Sequence, residues 1–129
     1  MATETEHQPR GHRIEIVPSS ASVRVEIDGV VVAETTDASV LHETNLPPRW
    51  YIPETDVRMD LLTPTDTRTA CPFKGQARYW SANVGGRTVN DVAWSYPTPI
   101  PQSQAIAGLL SFYPDKVATF IDGQPLRST

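Results

Sequence analysis

Proline interrupts this chain so often that a long helix has no room to form. Twelve of the 129 residues are Pro, nearly twice the usual share of about 5%. Proline lacks the backbone N–H and fixes φ, so it is excluded from helix interiors and from central strands. No window of about twelve residues between the prolines and glycines keeps a helical apolar period. The chain is therefore expected to be mainly β, with at most one or two short helical segments.

Two dipeptides predict where β-hairpins form. Asp28-Gly29 separates SVRVEI from VVVAE, and Gly85-Gly86 separates QARYWSANV from RTVNDVAWSY. Both dipeptides tolerate the positive φ angles of two-residue hairpin turns. Opposite residues share a face of a hairpin, and a regular register places five apolar residues of the first hairpin on its core face: Val23, Val25, Ile27, Val30 and Val32.

A regular register in the second hairpin pairs residue 79 with 92 and residue 77 with 94. Arg78 then lies diagonal to Asp91. Both faces carry apolar bulk, so this hairpin is predicted to be central and covered on both sides. One face holds Gly75, Ala77, Tyr79, Val92, Trp94 and Tyr96, and the other holds Arg78, Trp80, Ala82, Val84, Val89 and Asp91.

The chain is long enough for one domain that folds without cross-links. Residues 1–11 are polar and aperiodic and are predicted to be a flexible tail, and residues 12–129 to form a single domain. No apolar stretch has the length of a signal peptide or a membrane span, so a cytoplasmic protein without membrane partners is expected. The net charge of −4 argues against nucleic acid as a partner, because nonspecific binding depends on basic charge. Monomer and homodimer both stay open.

The single cysteine excludes an internal disulfide and the zinc sites that need paired cysteines, and no metal or cofactor is predicted. It still allows a thiol nucleophile, because Lys74 follows Cys71 at short spacing and His42 is a possible base. Glu43 and Asp60 are the carboxylate candidates for acid–base chemistry. Cysteine is usually a buried apolar residue, and charges beside Pro-Pro or Leu-Leu usually form structural ion pairs. Structural roles are therefore favoured for these candidates.

Residues 67–90 combine basic and aromatic side chains. This stretch contains four Lys or Arg residues and no Asp or Glu. Cations beside aromatic faces can hold an anionic or planar molecule by stacking and by charge-assisted hydrogen bonds. The alternative is that the rings fill the core and Arg78 pairs with Asp91. The candidate ligand-binding residues are Arg58, Lys74, Tyr79, Trp80, Trp94 and Tyr96.

Three long motifs carry a family resemblance. HETNLPPRWYIPETDVRMDLL, TACPFKGQARYWSANVGG and DVAWSYPTPIPQSQAIAGLLSFY follow one another in this order, and together they resemble the bacterial DUF427 family from about residue 12 to 121. The resemblance implies an antiparallel fold of the β-tent type, in which two sheets meet at an angle. It also implies an aromatic-lined pocket for a small molecule, and it brings a nucleotidyltransferase-like label. Related folds often carry zinc on four cysteines, which this chain lacks.

Three functions follow from these observations. The first is a domain that binds a small anionic or planar molecule in an aromatic and cationic pocket. The second is an enzyme, a transferase or hydrolase that uses either Cys71 or the carboxylates of Glu43 and Asp60. Nucleotides are one possible class of substrate for this enzyme. The third is a homomeric interaction module without a ligand.

Overall fold

Residues 11–126 fold into short antiparallel strands joined by turns and by three short 3-10 segments. The structure is a computed structural model that describes residues 11–126, so the predicted tail lies outside the described residues except for Gly11. The 3-10 segments span Glu54–Asp56, Met59–Leu61 and Pro101–Ile106. The strands are β1 (Ile14–Ser19), β2 (Val23–Ile27), β3 (Val30–Thr35), β4 (Ala38–Glu43), β5 (Arg49–Tyr51), β6 (Leu62–Cys71), β7 (Gly75–Val84), β8 (Arg87–Ser95), β9 (Leu110–Phe112), β10 (Ala118–Ile121) and β11 (Gln124–Pro125).

Hydrogen bonding groups these strands into three antiparallel sheets, so the mainly β prediction is confirmed. The strand orders are β1-β4-β5, β11-β10-β2-β3 and β6-β7-β8-β9. Ile52, directly after β5, forms a backbone bridge with Leu110 of β9, and the two nitrogen-to-oxygen distances are 2.7 and 2.9 Å. This bridge sets the first sheet against the third.

The predicted Asp28-Gly29 turn forms, but a β-bulge changes the register beyond it. Val25 lies opposite Ala33 instead of Val32, which adds one residue to β3. Val32 and Ala33 are therefore both buried, whereas Val30 is 40% exposed. Val30 keeps its predicted pairing with Ile27, but it lies beside the turn on an edge strand of its sheet. The prediction that it faces the core is therefore wrong, and the bulge accounts only for the burial of both Val32 and Ala33.

The Gly85-Gly86 turn also forms, and a larger bulge follows in β8. Trp80 lies opposite Ala93 while Ala82 lies opposite Val89, so β8 carries two extra residues at the bulge. Asp91 adopts a φ of 46° there. Tyr79 consequently pairs with Trp94 and not with residue 92.

The bulge also redirects two predicted side chains. Val92 packs in the aliphatic core and not beside Tyr79. Asp91 accepts hydrogen bonds from the hydroxyls of Thr65 at 2.8 Å and Thr67 at 2.7 Å. The predicted pairing of Arg78 with Asp91 is therefore wrong.

Two hydrophobic clusters lie on opposite faces of the β7–β8 hairpin, as predicted for a central hairpin. The first, here called the aliphatic core, is built mainly of Val, Ile, Leu and Ala from β2, β3, β7 and β8. The second, here called the aromatic cluster, consists of Leu41, Tyr51, Ala77, Tyr79, Trp94, Tyr96 and Ile106.

Candidate ligand cavity

The aromatic cluster borders a cavity of about 190 Å³. The cavity reaches the surface at Leu46, which is 57% exposed. A cleft of about 20 Å³ beside the aliphatic core is much smaller. The cavity is lined by Leu41, Glu43, Leu46, Pro47, Arg49, Tyr51, Lys74, Tyr79, Trp94, Tyr96 and Tyr113.

Hydrogen bonds and ring contacts fix the aromatic wall. The indole Nε1–H of Trp94 donates to the Tyr51 hydroxyl at 3.0 Å, and the two rings meet edge to face. Tyr113 lies against Trp94 with ring centroids 4.5 Å apart. The Tyr79 hydroxyl lies 2.9 Å from the hydroxyl of Thr69 and 3.4 Å from that of Tyr113. The polar tips of these rings thus find the hydrogen-bond partners that buried Tyr and Trp side chains need.

Two tyrosine hydroxyls at the cavity are candidate hydrogen-bond donors. Burial raises the pKa of Tyr51 and of Tyr96 far above the ordinary value, so both phenols stay protonated. Within residues 11–126, the Tyr96 hydroxyl makes no hydrogen bond to another residue. The Tyr51 hydroxyl accepts from Trp94 and keeps its own proton to donate.

A tight turn places Lys74 at the cavity. Pro72, Phe73 and Lys74 connect β6 to β7, and the Lys74 N–H donates to the Cys71 carbonyl at 3.2 Å. The segment after β8 supports this turn, since the Ile100 N–H donates to the Lys74 carbonyl at 3.0 Å. Gly75 has a φ of 120°, and a Cβ there would lie 3.2 Å from the Pro99 backbone. Glycine is therefore required where the chain leaves the turn.

Lys74 is held by a carboxylate from the neighbouring sheet. Its Nζ donates to Oε1 of Glu43 at 2.7 Å, and the two side chains are only 13% and 8% exposed. Oε2 of Glu43 lies 3.1 Å from Nε2 of His12, but the two atoms are not aligned for a hydrogen bond. His12 in turn stacks on Phe73 with ring centroids 3.9 Å apart. Both oxygens of Glu43 thus face protein groups, which suits a positioning role.

Arg49 supplies a second cation. Its guanidinium carbon lies 5.6 Å from the centre of the Trp94 ring, a cation–π distance. Within the described part of the chain, this guanidinium forms no ion pair or hydrogen bond. It is half-buried at the cavity. Its five N–H donors are therefore available to a bound group.

The structure brings together five of the residues singled out from sequence. Lys74, Tyr79, Trp94, Tyr96 and Glu43 all line the cavity. Tyr79 and Trp94 meet because they are paired across β7 and β8.

The other five residues singled out from sequence are not among those that line the cavity. Trp80 is on the opposite face of β7 and packs against the aliphatic core. Arg58 and Asp60 form an exposed ion pair with each other at 2.8 Å. Cys71 is half-buried and packs against the aromatic cluster. His42 is exposed and lies opposite Glu15 in the β1–β4 ladder.

Sequence reasoning missed Arg49, Tyr51, Tyr113 and His12. Arg49 and Tyr51 lie within the first of the three family motifs, and they alternate along the short strand β5. Tyr113 lies after β9, and only the tertiary fold brings it to Trp94. His12 sits at the predicted domain boundary, where its contact with Glu43 leaves no local signal.

Residues 11–126 contain neither a metal-binding cluster nor a membrane-spanning helix. No three His, Cys, Asp or Glu side chains in that range are grouped so that they could hold a metal ion. None of its helices is long and apolar enough to cross a membrane.

Fold and cavity together define a small antiparallel β protein with an aromatic-lined cavity between two of its sheets. Residues 15–123 match the family model described as a domain of unknown function, DUF427, and the chain belongs to this family. The family resemblance inferred from the motifs is thereby confirmed. No curated protein matches the chain.

Proposed function

We propose that this protein binds a small planar molecule of about one ring in the aromatic cavity. The observation that carries the proposal is the combination of fixed rings and available donors around one space. Ligand sites are typically concave and aromatic, with a few convergent polar groups. Tyr51, Tyr96 and Arg49 supply such groups beside Trp94.

The volume limits the size of the ligand. A cavity of about 150 Å³ lined by apolar side chains is large enough to bind benzene. The cavity here measures about 190 Å³, which suits a single ring with a small polar substituent. A complete nucleotide would extend out past Leu46 into solvent.

Catalysis is not proposed, because Cys71 is half-buried against the aromatic cluster and does not line the cavity, and because both candidate carboxylates are paired with cations. Glu43 is bound to Lys74, and Asp60 to Arg58. The nucleotidyltransferase activity that the family label suggests would need available carboxylates. Asp56, the nearest one to Asp60 in sequence, accepts a hydrogen bond from Thr35 at 2.7 Å. The homomeric module stays a prediction.

Thermal melting and tryptophan fluorescence against a panel of single-ring compounds test the proposal. Suitable probes are benzoate, benzamide, benzyl alcohol and uracil. A ligand at a hundredfold excess over Kd stabilises the native state by about 2.7 kcal/mol. We expect at least one probe to raise the melting temperature and to change tryptophan emission, because Trp94 lines the cavity.

A blocked variant locates the binding. Leu41→Phe places a ring in the cavity that Leu41 lines and should abolish the response. Val30→Phe is the matched control, because it adds the same ring at an exposed position in another sheet. If no probe binds, or if both variants respond like the wild type, the proposed site is wrong.

A further inference from the structure

We infer that the ligand is a monoanion, a single-ring carboxylate whose carboxylate group binds Arg49. This inference rests on the proposed function, since it specifies which ligand the same cavity takes. Three charged side chains line the cavity: Glu43, Lys74 and Arg49. Their charges determine what the site can hold.

Two of these charges neutralise each other. The Lys74 ammonium lies 2.7 Å from Glu43, and both side chains are largely buried. Separating them to bind a ligand would leave a buried carboxylate without its partner, which is costly. Lys74, the cation that the sequence pointed to, is therefore unsuited to be the anion anchor. Its role is to fill and neutralise one end of the cavity.

Arg49 is the remaining positive charge. Its guanidinium has no ion-pair partner among residues 11–126, and the Trp94 ring below it satisfies none of its N–H donors. The lining thus carries one net positive charge, from Arg49, and one anionic group would compensate it. A guanidinium presents a planar fork that matches a carboxylate with two parallel hydrogen bonds.

The neighbouring groups suit a planar carboxylate attached to a ring. Arg49 lies over Trp94, so a ring joined to the bound carboxylate can lie against the aromatic wall. The hydroxyl of Tyr96 is a neutral donor because burial raises its pKa. A protonated phenol donates to a carboxylate and adds no charge to the site.

Isothermal calorimetry with benzoate and benzamide tests the charge requirement. The two probes share a ring and a planar substituent and differ in charge. For the wild type we expect benzoate to bind at least tenfold more tightly than benzamide. In Arg49→Gln, the affinity for benzoate should fall by about tenfold to a hundredfold, the cost of losing hydrogen bonds to a charged group. The affinity for benzamide should change by less than about twofold.

Two further variants make the result specific. Arg49→Lys keeps the charge and removes the fork, so its benzoate affinity should fall between those of the wild type and Arg49→Gln. Arg87→Gln removes an exposed arginine that pairs with Asp28 on another surface, and it should bind both probes like the wild type. Thermal melts of each variant show that it is folded.

The outcomes separate this inference from the proposed function. If benzamide binds as tightly as benzoate and Leu41→Phe blocks both, the site is real and the inferred anion is wrong. The inference also fails if Arg49→Gln weakens both probes alike. If neither probe binds the folded wild type and the wider panel is silent too, the proposed function fails with it.

Discussion

The two faces of the β7–β8 hairpin are packed in different ways. On one face the aliphatic core joins residues without polar atoms, and the cleft beside it measures about 20 Å³. On the other face the aromatic cluster borders a cavity of about 190 Å³. Both faces are largely shielded from water, so burial alone does not distinguish them.

The difference lies in the chemistry of the side chains. Branched aliphatic residues interdigitate at close to crystal density. Large rings with polar tips pack only where those tips find partners, and here Tyr51 pairs with Trp94 while Tyr79 pairs with Thr69. We infer that the first face maintains the fold and that the second maintains a site.

The largest effect is expected from a truncation in the aliphatic core. Ile27 is 2% exposed, and Ile27→Ala should lower the free energy of unfolding by about 2–5 kcal/mol, through lost burial and a new void. Urea denaturation measures the change. Binding in the aromatic cavity should persist in the folded fraction, and a cost below about 1 kcal/mol would contradict a tightly packed core.

Overpacking separates the two faces next. Val32 is fully buried in the aliphatic core, and Val32→Leu should cost about 1–3 kcal/mol because the added methylene has no room. Leu41→Phe adds more volume, but the side chain at position 41 lines the cavity. This substitution should therefore lower the free energy of unfolding by less than about 1 kcal/mol. Unfolding free energies of the two variants provide the comparison. Equal costs would indicate that the cavity is not available space.

The smallest effect is a pH dependence that belongs to the aromatic face. The folded-state pKa of Tyr51 lies above the ordinary value near 10 because of burial. Above about pH 10 the Tyr51 phenol loses its proton in the unfolded chain and keeps it in the folded chain. The contribution of Tyr51 to stability is therefore intact below about pH 10 and falls as the pH rises further. For Tyr51 the limiting slope is about 1.4 kcal/mol per pH unit.

Urea unfolding at a series of alkaline pH values measures this slope. Tyr51→Phe should lower stability at neutral pH, since it leaves the Trp94 N–H without its acceptor. The same variant should have a shallower alkaline slope than the wild type. An unchanged slope would show that Tyr51 ionises as in the unfolded chain.

Much of the fold followed from local sequence signals. Asp28-Gly29 and Gly85-Gly86 were sufficient to predict both hairpins, because two-residue turns need residues that accept positive φ. The bulges at Val32 and Asp91 could not be predicted in this way. Asp91 on β8 accepts hydrogen bonds from Thr65 and Thr67 on β6, which is separated from β8 by β7 in the sheet. Counting residues along a single hairpin cannot include such contacts.

The candidate site was predictable only in part, for the same reason. Tyr79, Trp94 and Tyr96 share a face by alternation along β7 and β8. Arg49 and Lys74 are 25 positions apart in the numbered chain, and separate elements carry them to one cavity. Whether each cation is paired depends on Glu43, which approaches Lys74 from another sheet.

The most direct test of ligand binding beside Trp94 is a benzoate titration followed by nuclear magnetic resonance. The signals to observe are the indole N–H resonances of Trp94 and Trp80. Trp94 lines the cavity, whereas Trp80 packs against the aliphatic core on the opposite face of the hairpin. Trp94→Phe and Trp80→Phe assign the two signals. We expect a saturable shift of the Trp94 signal with the Trp80 signal nearly unchanged. If the Trp94 signal does not shift, or if both signals shift alike, benzoate does not bind in the aromatic cavity.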